Sequence, residues 1–216
     1  MIGLIIGVAS IVTWLIWSNA FYQIKEGFAL IRWGLGGDKV YFRGSFFAYP
    51  LVHRVEKINI KEQRVLISLT GDKNALTQDK IRVDLQLTFF VQIRLTNWDV
   101  LRVAKSSSGE SAVDKETLKK IFEPKFVPVI KRLINQYNYQ ALQEAPNKLI
   151  KALKQELELD FGGYQLNRIR IAALKHMPLD EYDIDFNILD AEGYKNLKKW
   201  LKENKIAQEI KDKKAS

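Results

Sequence analysis

Residues 81–94 read IRVDLQLTFFVQIR, and this stretch has the clearest periodicity in the chain. Apolar side chains occupy every second position from Ile81 to Ile93. Polar side chains occupy the positions between them, with Phe90 as the exception. Alternation with a period of two is typical of a strand that buries one face. The stretch therefore predicts a long, half-buried strand of an antiparallel sheet.

The residues that precede this strand also favour β-structure. Phe28–Trp33 and Val40–Phe42 predict two further strands, and the glycine-rich stretch Gly34–Gly37 marks a turn between them. Val55–Leu69 is rich in β-branched residues, which also favour strands. These patterns predict a β-rich first module over residues 23–96.

After residue 96 the apolar spacing changes to that of helices. Helices are predicted to begin at Asn97 and near Asp114, and a third is predicted over Ala145–Leu159. Tyr164–Leu174 returns to alternation and predicts a strand that packs on those helices. These patterns predict an αβ second module over residues 97–189.

The last segment, residues 190–216, is rich in lysine and predicts an amphipathic helix. Tyr194, Leu197 and Leu201 recur at spacings of three and four, while the lysines fall largely on the other faces. A lone helix so rich in lysine repels itself, so its apolar stripe needs a neighbour. That neighbour is most simply the same helix or the αβ module of an adjacent copy. The three apolar residues are therefore the predicted oligomerisation residues.

The first 22 residues predict a transmembrane anchor. No side chain from Ile2 to Tyr22 is charged, and about 20 apolar residues in a helix cross the roughly 30 Å hydrocarbon core of a bilayer. Aromatic side chains crowd the end of the segment, as they do at a lipid–water interface. The predicted anchor residues are Ile2, Leu4, Ile5, Trp14, Leu15, Trp17 and Phe21.

A cleaved signal peptide and a buried core helix are the alternatives for this segment. A signal peptide usually has a basic start and a small-residue cleavage site. Here no lysine or arginine precedes the run, and bulky aromatics follow Ser18–Ala20. The basic residues that follow closely are Lys25, Arg32, Lys39 and Arg43. Their excess predicts a single-pass protein with its N-terminus outside and its body in the cytoplasm.

Composition and charge exclude several classes of protein. The chain has no cysteine, which excludes disulfides, iron–sulfur clusters and thiolate zinc sites. Its net charge is +9, and the basic residues are spread along the chain instead of being gathered in one stripe. They therefore suit anionic lipid better than nucleic acid. We expect a lipid bilayer among the partners and no nucleic acid.

No motif indicates catalysis. The two histidines, His53 and His176, are each a candidate ligand or base, with ordinary polar packing as the alternative. There is no nucleophile elbow, zinc-binding H-E-x-x-H or phosphate-binding glycine loop. The acidic run Asp180–Asp185 could hold a hard cation, but it lacks the spacing of a calcium loop and also suits a solvated linker. The sequence predicts a protein that is not an enzyme and has no catalytic residue, cofactor or metal.

An unusual density of aromatic side chains lies close to the anchor in sequence. Phe42, Phe46, Phe47 and Tyr49 are predicted to form a loop that makes a second, shallow contact with the membrane. The alternative is a strand end whose side chains face the core.

Several stretches resemble the stomatin/prohibitin/flotillin superfamily, also called SPFH or band 7. Residues 24–34 resemble the family's opening strand, although Lys25 stands where proline is common. Residues 36–55 resemble a flotillin-type run of glycines and aromatics, and Thr77–Asp84 resembles the entry to the long strand. Asp190–Gly193 resembles the sequence that opens the coiled coil of bacterial flotillin-like inner-membrane proteins.

The resemblance implies an α+β fold with an N-terminal transmembrane helix, an antiparallel β-rich module, an αβ module and the start of a coiled-coil helix. It also implies a non-enzymatic scaffold of the bacterial inner membrane that self-associates and organises membrane microdomains or partner membrane proteins. The alternatives are an adaptor that regulates a membrane-bound protease and a hydrolase with an unrecognised site. The chain ends roughly where the family's long coiled coil should start. We therefore do not expect this chain alone to form a cage.

Overall fold

The structure is a computed structural model, and it describes residues 20–106, 114–157 and 161–215. It has the predicted α+β class, with antiparallel strand pairs and five α-helices among the described residues. Contacts group the chain into two compact units, each drawn from separated stretches. The first unit takes the described residues of Met1–Gln63, Val91–Leu118 and Asp160–Gln165, and the second takes those of Arg64–Phe90, Lys119–Leu159 and Leu166–Ser216. The predicted module boundaries at residues 96 and 189 stay predictions.

The first unit contains two small antiparallel sheets. Its strands are β1 (Phe21–Gln23), β2 (Phe28–Gly34), β3 (Lys39–Tyr41), β4 (Ser45–Phe47) and β5 (His53–Asn59). Strand β1 pairs with β4, and β2 lies between β3 and β5. The apolar core between these strands consists of buried Leu30, Phe46 and Ala48, against which Tyr22, Ile24, Tyr41 and Val55 pack.

The first unit also contains helix α1 (Asn97–Ser106), which begins where the sequence predicts. Its start is fixed by Thr96, whose hydroxyl oxygen accepts a hydrogen bond from the Asp99 N–H at 3.1 Å. A threonine at this position satisfies a backbone donor that the first turn of a helix leaves free.

The other sheet is built on the long strand predicted from residues 81–94. It consists of β6 (Gln63–Leu69), β7 (Ala75–Leu76), β8 (Arg82–Ile93) and β9 (Tyr164–His176). Strand β8 lies between β6 and β7, and β9 also pairs with β8. The predicted apolar face is confirmed, because its residues are all buried: Ile81, Val83, Leu85, Leu87, Phe89, Val91 and Ile93.

Phe90, the exception to the alternation, is buried as well. The guanidinium carbons of Arg64 and Arg168 lie 5.6 and 4.3 Å from its ring centroid. A cation over an aromatic ring is attracted by the negative face of the ring. The otherwise polar face of β8 therefore accommodates one phenylalanine beneath charged side chains.

Four more helices follow along the chain: α2 (Lys115–Ile134), α3 (Tyr139–Glu144), α4 (Pro146–Glu156) and α5 (Ile188–Ala215). Helix α2 contains the two prolines of this region and buries Phe122 and Phe126. The ring centroid of Phe126 lies 4.6 Å from that of Phe89 in β8. The buried side of α2 therefore contacts the predicted apolar face of the long strand.

Two predicted segments need correction, and two short elements were not predicted. Val55–Leu69 is not continuous, because a turn separates β5 from β6 and the Asn59 side chain accepts a hydrogen bond from the Lys61 N–H within it. Helix α4 ends at Glu156, before its predicted end. Strand β4 and helix α3 were not predicted, because three and six residues are too few to show a period.

Most of the predicted anchor lies outside the described residues, including Ile2, Leu4, Ile5, Trp14, Leu15 and Trp17. The predicted end of the anchor is wrong, because Phe21 and Tyr22 belong to strand β1 and not to a helix. Pairing with β4 holds them there, and the ring centroids of Phe21 and Phe47 lie 5.4 Å apart. Within residues 20–106, 114–157 and 161–215, no helix has the length and apolar character needed to cross a bilayer.

Candidate membrane-facing site

The first unit exposes a set of large apolar side chains on β1, β4 and the turns beside them. We call this set the apolar patch: Phe21, Leu35, Phe47, Tyr49, Leu51 and Val52. Leu51 is 85% exposed, and Phe21 and Phe47 are each about half exposed, at 53% and 51%. Contiguous exposed apolar surface is costly in water and commonly marks a site that binds lipid or protein.

Strand alternation decides which of the aromatic residues face outward. Phe21 is the register partner of Phe47, and Tyr22 is the partner of Phe46. The first pair is exposed, whereas the ring of Phe46 lies 5.8 Å from Tyr22 and 4.0 Å from Tyr41, in stacked arrangements. Successive side chains of a strand point to opposite faces, so one pair faces solvent and the other the core.

The predicted membrane-contact loop is therefore only partly at the surface. Phe47 and Tyr49 are exposed, as that prediction requires. Phe46 is 7% exposed and belongs to the core, so its prediction as a membrane contact is wrong. Phe42 is partly buried and lines an open cavity of about 580 Å³, together with the basic residues Lys25 and Arg43.

Two turns hold the exposed end of the patch in place. The Tyr49 carbonyl oxygen accepts hydrogen bonds from the N–H groups of Val52 and His53, which closes a turn with Leu51 near its tip. The Leu35 N–H donates to the Val52 carbonyl oxygen at 3.3 Å. Gly34 permits this approach, since its φ is +120° and a Cβ there would lie 2.2 Å from that same oxygen.

His53 joins these turns through both ring nitrogens. Its Nδ1 accepts a hydrogen bond from the Tyr49 N–H at 3.1 Å, and its Nε2 lies 2.9 Å from the Leu35 carbonyl oxygen. Because Nδ1 must accept, Nε2 carries the proton and donates. The side chain considered above as a ligand or base thus binds two backbone groups beneath the patch.

His176 and the acidic run are similarly engaged with nearby backbone. The His176 Nδ1 lies 3.0 Å from the Met177 carbonyl oxygen. The Asp183 carboxylate accepts a hydrogen bond from the Phe186 N–H at 3.1 Å. Among the described residues, no group of three or more histidine, aspartate and glutamate side chains is arranged to hold a metal ion.

The predicted oligomerisation residues lie on helix α5, in the second unit. Leu197 is fully buried within its own chain, so its prediction as a contact between copies is wrong. Tyr194 and Leu201 are partly buried, and the ring centroid of Tyr194 lies 6.2 Å from that of Tyr182. The neighbour that the apolar stripe needs is thus this chain's own second unit.

The first turns of α5 are attached to the start of strand β8. Arg82 pairs through its Nε with the buried carboxylate of Asp190, and its N–H donates to the Tyr182 hydroxyl oxygen at 3.0 Å. Gly193 permits the close packing here, because a Cβ would lie 2.0 Å from the Lys80 carbonyl oxygen. Burial, followed by the nearby Asp190 charge, raises the pKa of Tyr182 to about 12, although the hydrogen bond from Arg82 acts in the opposite direction.

Comparison with known proteins identifies the class to which this fold belongs. The family model of the SPFH domain / Band 7 family matches residues 22–213, and the chain belongs to that family. The predicted superfamily is therefore confirmed.

Two relatives are flotillin family inner membrane proteins. YqiK of Escherichia coli (strain K12) is 23% identical over 185 residues, which cover 85% of this chain and 33% of that protein. The protein sll1021 of Synechocystis sp. (strain ATCC 27184 / PCC 6803 / Kazusa) is 23% identical over 191 residues, which cover 85% of this chain and 28% of that protein. This chain therefore spans about a third or less of the length of the curated relatives it matches.

Proposed function

We propose that this chain is a non-enzymatic membrane scaffold, anchored in a bacterial inner membrane by its N-terminal apolar segment. The observation that carries the proposal is the apolar patch, which begins at Phe21, directly after that segment. Family membership and the names of the two inner-membrane relatives support the same location. In this arrangement the patch makes a second, shallow contact with the leaflet that the body faces.

The energetics favour such a contact. Burying an exposed leucine or phenylalanine side chain contributes about 1.5–3 kcal/mol, and the patch offers several of them. Exposed Arg43 lies between Leu35 and Phe47 in sequence, and exposed Arg54 follows the last patch residue closely. The chain carries a net charge of +9. Basic groups beside an inserted apolar surface attract anionic lipid, at about 1 kcal/mol for each lysine or arginine near the surface. The proposed orientation places the body in the cytoplasm, where it faces the cytoplasmic leaflet and its anionic lipids.

The proposal has two further parts: the chain catalyses no reaction, and it self-associates. The positions of His53 and His176, each hydrogen-bonded to or lying against backbone, support a structural role for both side chains. Copies held on one membrane would multiply weak lipid and partner contacts by avidity. This is how a chain without a catalytic site would organise its surroundings.

A depth measurement on the full chain tests the proposed contact. The chain has no cysteine, so Leu51→Cys can be labelled with an environment-sensitive fluorophore and reconstituted into vesicles that contain anionic lipid. We expect strong quenching by spin labels placed on the upper acyl chain. The matched control is Leu66→Cys, an exposed leucine of the second unit that is 50% exposed, and it should be quenched weakly.

Equal, weak quenching at both positions would overturn the lipid contact. Co-purification of a membrane protease with the full chain would instead favour the adaptor alternative. In vesicles of purely zwitterionic lipid, the labels at Leu51→Cys and Leu66→Cys could be quenched equally. That result would assign the contact to headgroup charge, not to the apolar patch.

A further inference from the structure

A second exposed apolar surface lies in the second unit, far along the sequence from the patch. We call residues 180–189 the acidic segment. Phe186 is 92% exposed and Ile188 is 86% exposed, and Ile184 and Leu189 are each nearly half exposed, at 48% and 43%. Four exposed carboxylates accompany them: Asp180, Glu181, Asp183 and Asp185. An apolar surface bordered by charge of one sign is typical of a protein interaction site.

Local hydrogen bonds fix this segment in an outward-facing conformation. The Asp183 carboxylate accepts from the Phe186 N–H, and the Asp183 carbonyl oxygen accepts from the Asn187 N–H. The Asn187 side chain then accepts from the N–H groups of Leu189 and Asp190, which caps helix α5. Because Asp190 is itself buried against Arg82, Phe186 and Ile188 are exposed on a fixed support.

The complementary surface lies on helix α5 of the same chain. We call it the lysine face, and its exposed members are Lys195, Lys198, Lys199, Lys202 and Lys205. Helical spacing places these lysines on the side away from buried Leu197, together with Ile206, which is 48% exposed. Within the described residues, none of the five ammonium groups has a carboxylate at ion-pair distance.

One copy of the chain cannot bring these two surfaces together. Ile188 and Lys198 belong to the same continuous helix, and ten residues of helix span about 15 Å. The acidic segment is fixed at one end of that helix, and the lysine face lies further along it. The two surfaces can therefore meet only between different copies.

We propose that the acidic segment of one copy docks on the lysine face of α5 in the next copy. The inference rests on the self-association included in the proposed function, and it names the contact that would produce it. The occupant is a second copy because each chain carries both halves of a charge-complementary pair, with apolar residues in both. Such a contact is head-to-tail, so successive copies add in one direction and close into a ring or continue as a filament.

Crosslinking between two single-cysteine variants of the full chain tests the contact. Because the chain has no cysteine, Phe186→Cys and Lys199→Cys can be purified separately, mixed in vesicles and treated with a short thiol crosslinker. We expect a crosslinked dimer from the mixture and little from either variant alone. A dimer from Phe186→Cys alone would indicate a symmetric contact and overturn the proposal.

Charge reversal provides the second test. Glu181→Lys with Asp185→Lys in the Phe186→Cys chain should lower the yield of the mixed dimer by roughly fivefold, the factor that corresponds to about 1 kcal/mol for two exposed ion pairs. Lys198→Glu with Lys202→Glu in the Lys199→Cys chain should restore it. The matched control is Asp72→Lys with Glu116→Lys, which reverses two exposed carboxylates elsewhere and should leave the yield unchanged.

The outcomes separate this inference from the proposed function. A large native mass without the mixed crosslink would place self-association at another interface, which overturns the inference and leaves the scaffold intact. A monomer in vesicles would overturn both the inference and the self-association. Quenching at Leu51 reports the membrane contact independently of either result.

Discussion

At the scale of single residues, Gly193 is a position of helix α5 where the backbone of another segment lies very close. A Cβ at this position would lie 2.0 Å from the Lys80 carbonyl oxygen, a backbone atom that cannot move alone. Alanine is normally better than glycine inside a helix by about 1 kcal/mol. Here we expect the opposite, with Gly193→Ala lowering the free energy of unfolding by about 1–3 kcal/mol through overpacking.

Chemical denaturation followed by circular dichroism measures that change. Lys195→Ala, at an exposed position of the same helix, is the control and should change stability by less than about 0.5 kcal/mol. Stabilisation by Gly193→Ala would mean that α5 does not approach Lys80 as closely as described.

Asp190 carries the second prediction at this scale. Its side chain is only 7% exposed and pairs with the partly buried Arg82. Removing one partner of a buried pair leaves the other charge unsatisfied, so we expect Asp190→Ala to cost about 3 kcal/mol. Glu156→Ala, which breaks an exposed pair with Arg132, should cost less than about 1 kcal/mol. Similar melting temperatures for the two variants would contradict this ranking.

Tyr182 makes stability depend on pH in alkaline solution. Its pKa is raised from 10.0 to about 12 in the folded chain, so the unfolded chain loses this proton first as the pH rises. The contribution to stability is complete below pH 10.0 and is lost as the pH approaches about 12. We expect the free energy of unfolding to fall over this range, and to fall less steeply in Tyr182→Phe. Denaturation at a series of pH values, with tyrosinate absorbance as a second readout, measures the difference.

If the free energy of unfolding fell with pH at the same slope in the unmutated chain and in Tyr182→Phe, other groups would govern the alkaline transition. Tyr139, whose pKa is also raised, mainly by burial, supplies part of the slope that remains in Tyr182→Phe.

At the scale of secondary-structure elements, the antiparallel pairing of β1 and β4 places two neighbouring phenylalanines on opposite faces. Phe46 faces the core and Phe47 faces solvent. We expect Phe46→Ser to lower the free energy of unfolding by about 3–5 kcal/mol and Phe47→Ser to change it by less than about 1 kcal/mol. Thermal melts in detergent give the comparison, in which each variant is the control for the other. A larger loss of stability in Phe47→Ser than in Phe46→Ser would indicate that the register of β4 differs by one residue from the pairing given above.

Sequence patterns predicted the elements well where a period had room to repeat. The long strand β8 and the helices α1 and α5 were found because alternation or helical spacing extends over ten or more residues. The three-residue strands β1 and β4 carry no such signal. Their aromatic composition also favoured a membrane interface, so Phe21 was assigned to the anchor and Phe46 to a lipid contact.

Partners of amphipathic faces were harder to predict than the faces themselves. The stripe containing Leu197 was found on α5, but periodicity does not state which surface covers it. The structure places that surface in the same chain. Conversely, the sequence offers only a solvated linker or a cation loop for the acidic run, and the exposed apolar residues beside it are missed. The exposure of Phe186 and Ile188 depends on a capped turn that sequence alone does not specify.

At the scale of the whole molecule, membrane attachment is the property to be tested first. Deleting residues 1–19, which precede the described part of the chain, should release most of the protein from membranes. About 20 apolar residues contribute far more transfer free energy than a shallow surface contact. Fractionation after an alkaline wash, with the full chain as the control, measures the released fraction. A full chain that washes off would exclude a spanning helix.

The start of the described chain has a mechanical consequence. Ala20 is completely buried, and its carbonyl oxygen accepts a hydrogen bond from the Ala48 N–H at 2.8 Å. From this residue onward the backbone is held within the packed first unit, so its first residues form no slack tether. If the preceding segment spans a bilayer, as proposed above, the first unit is held close to the lipid surface. Copies anchored on one bilayer would then meet at nearly the same height, and their search for each other would be confined to two dimensions.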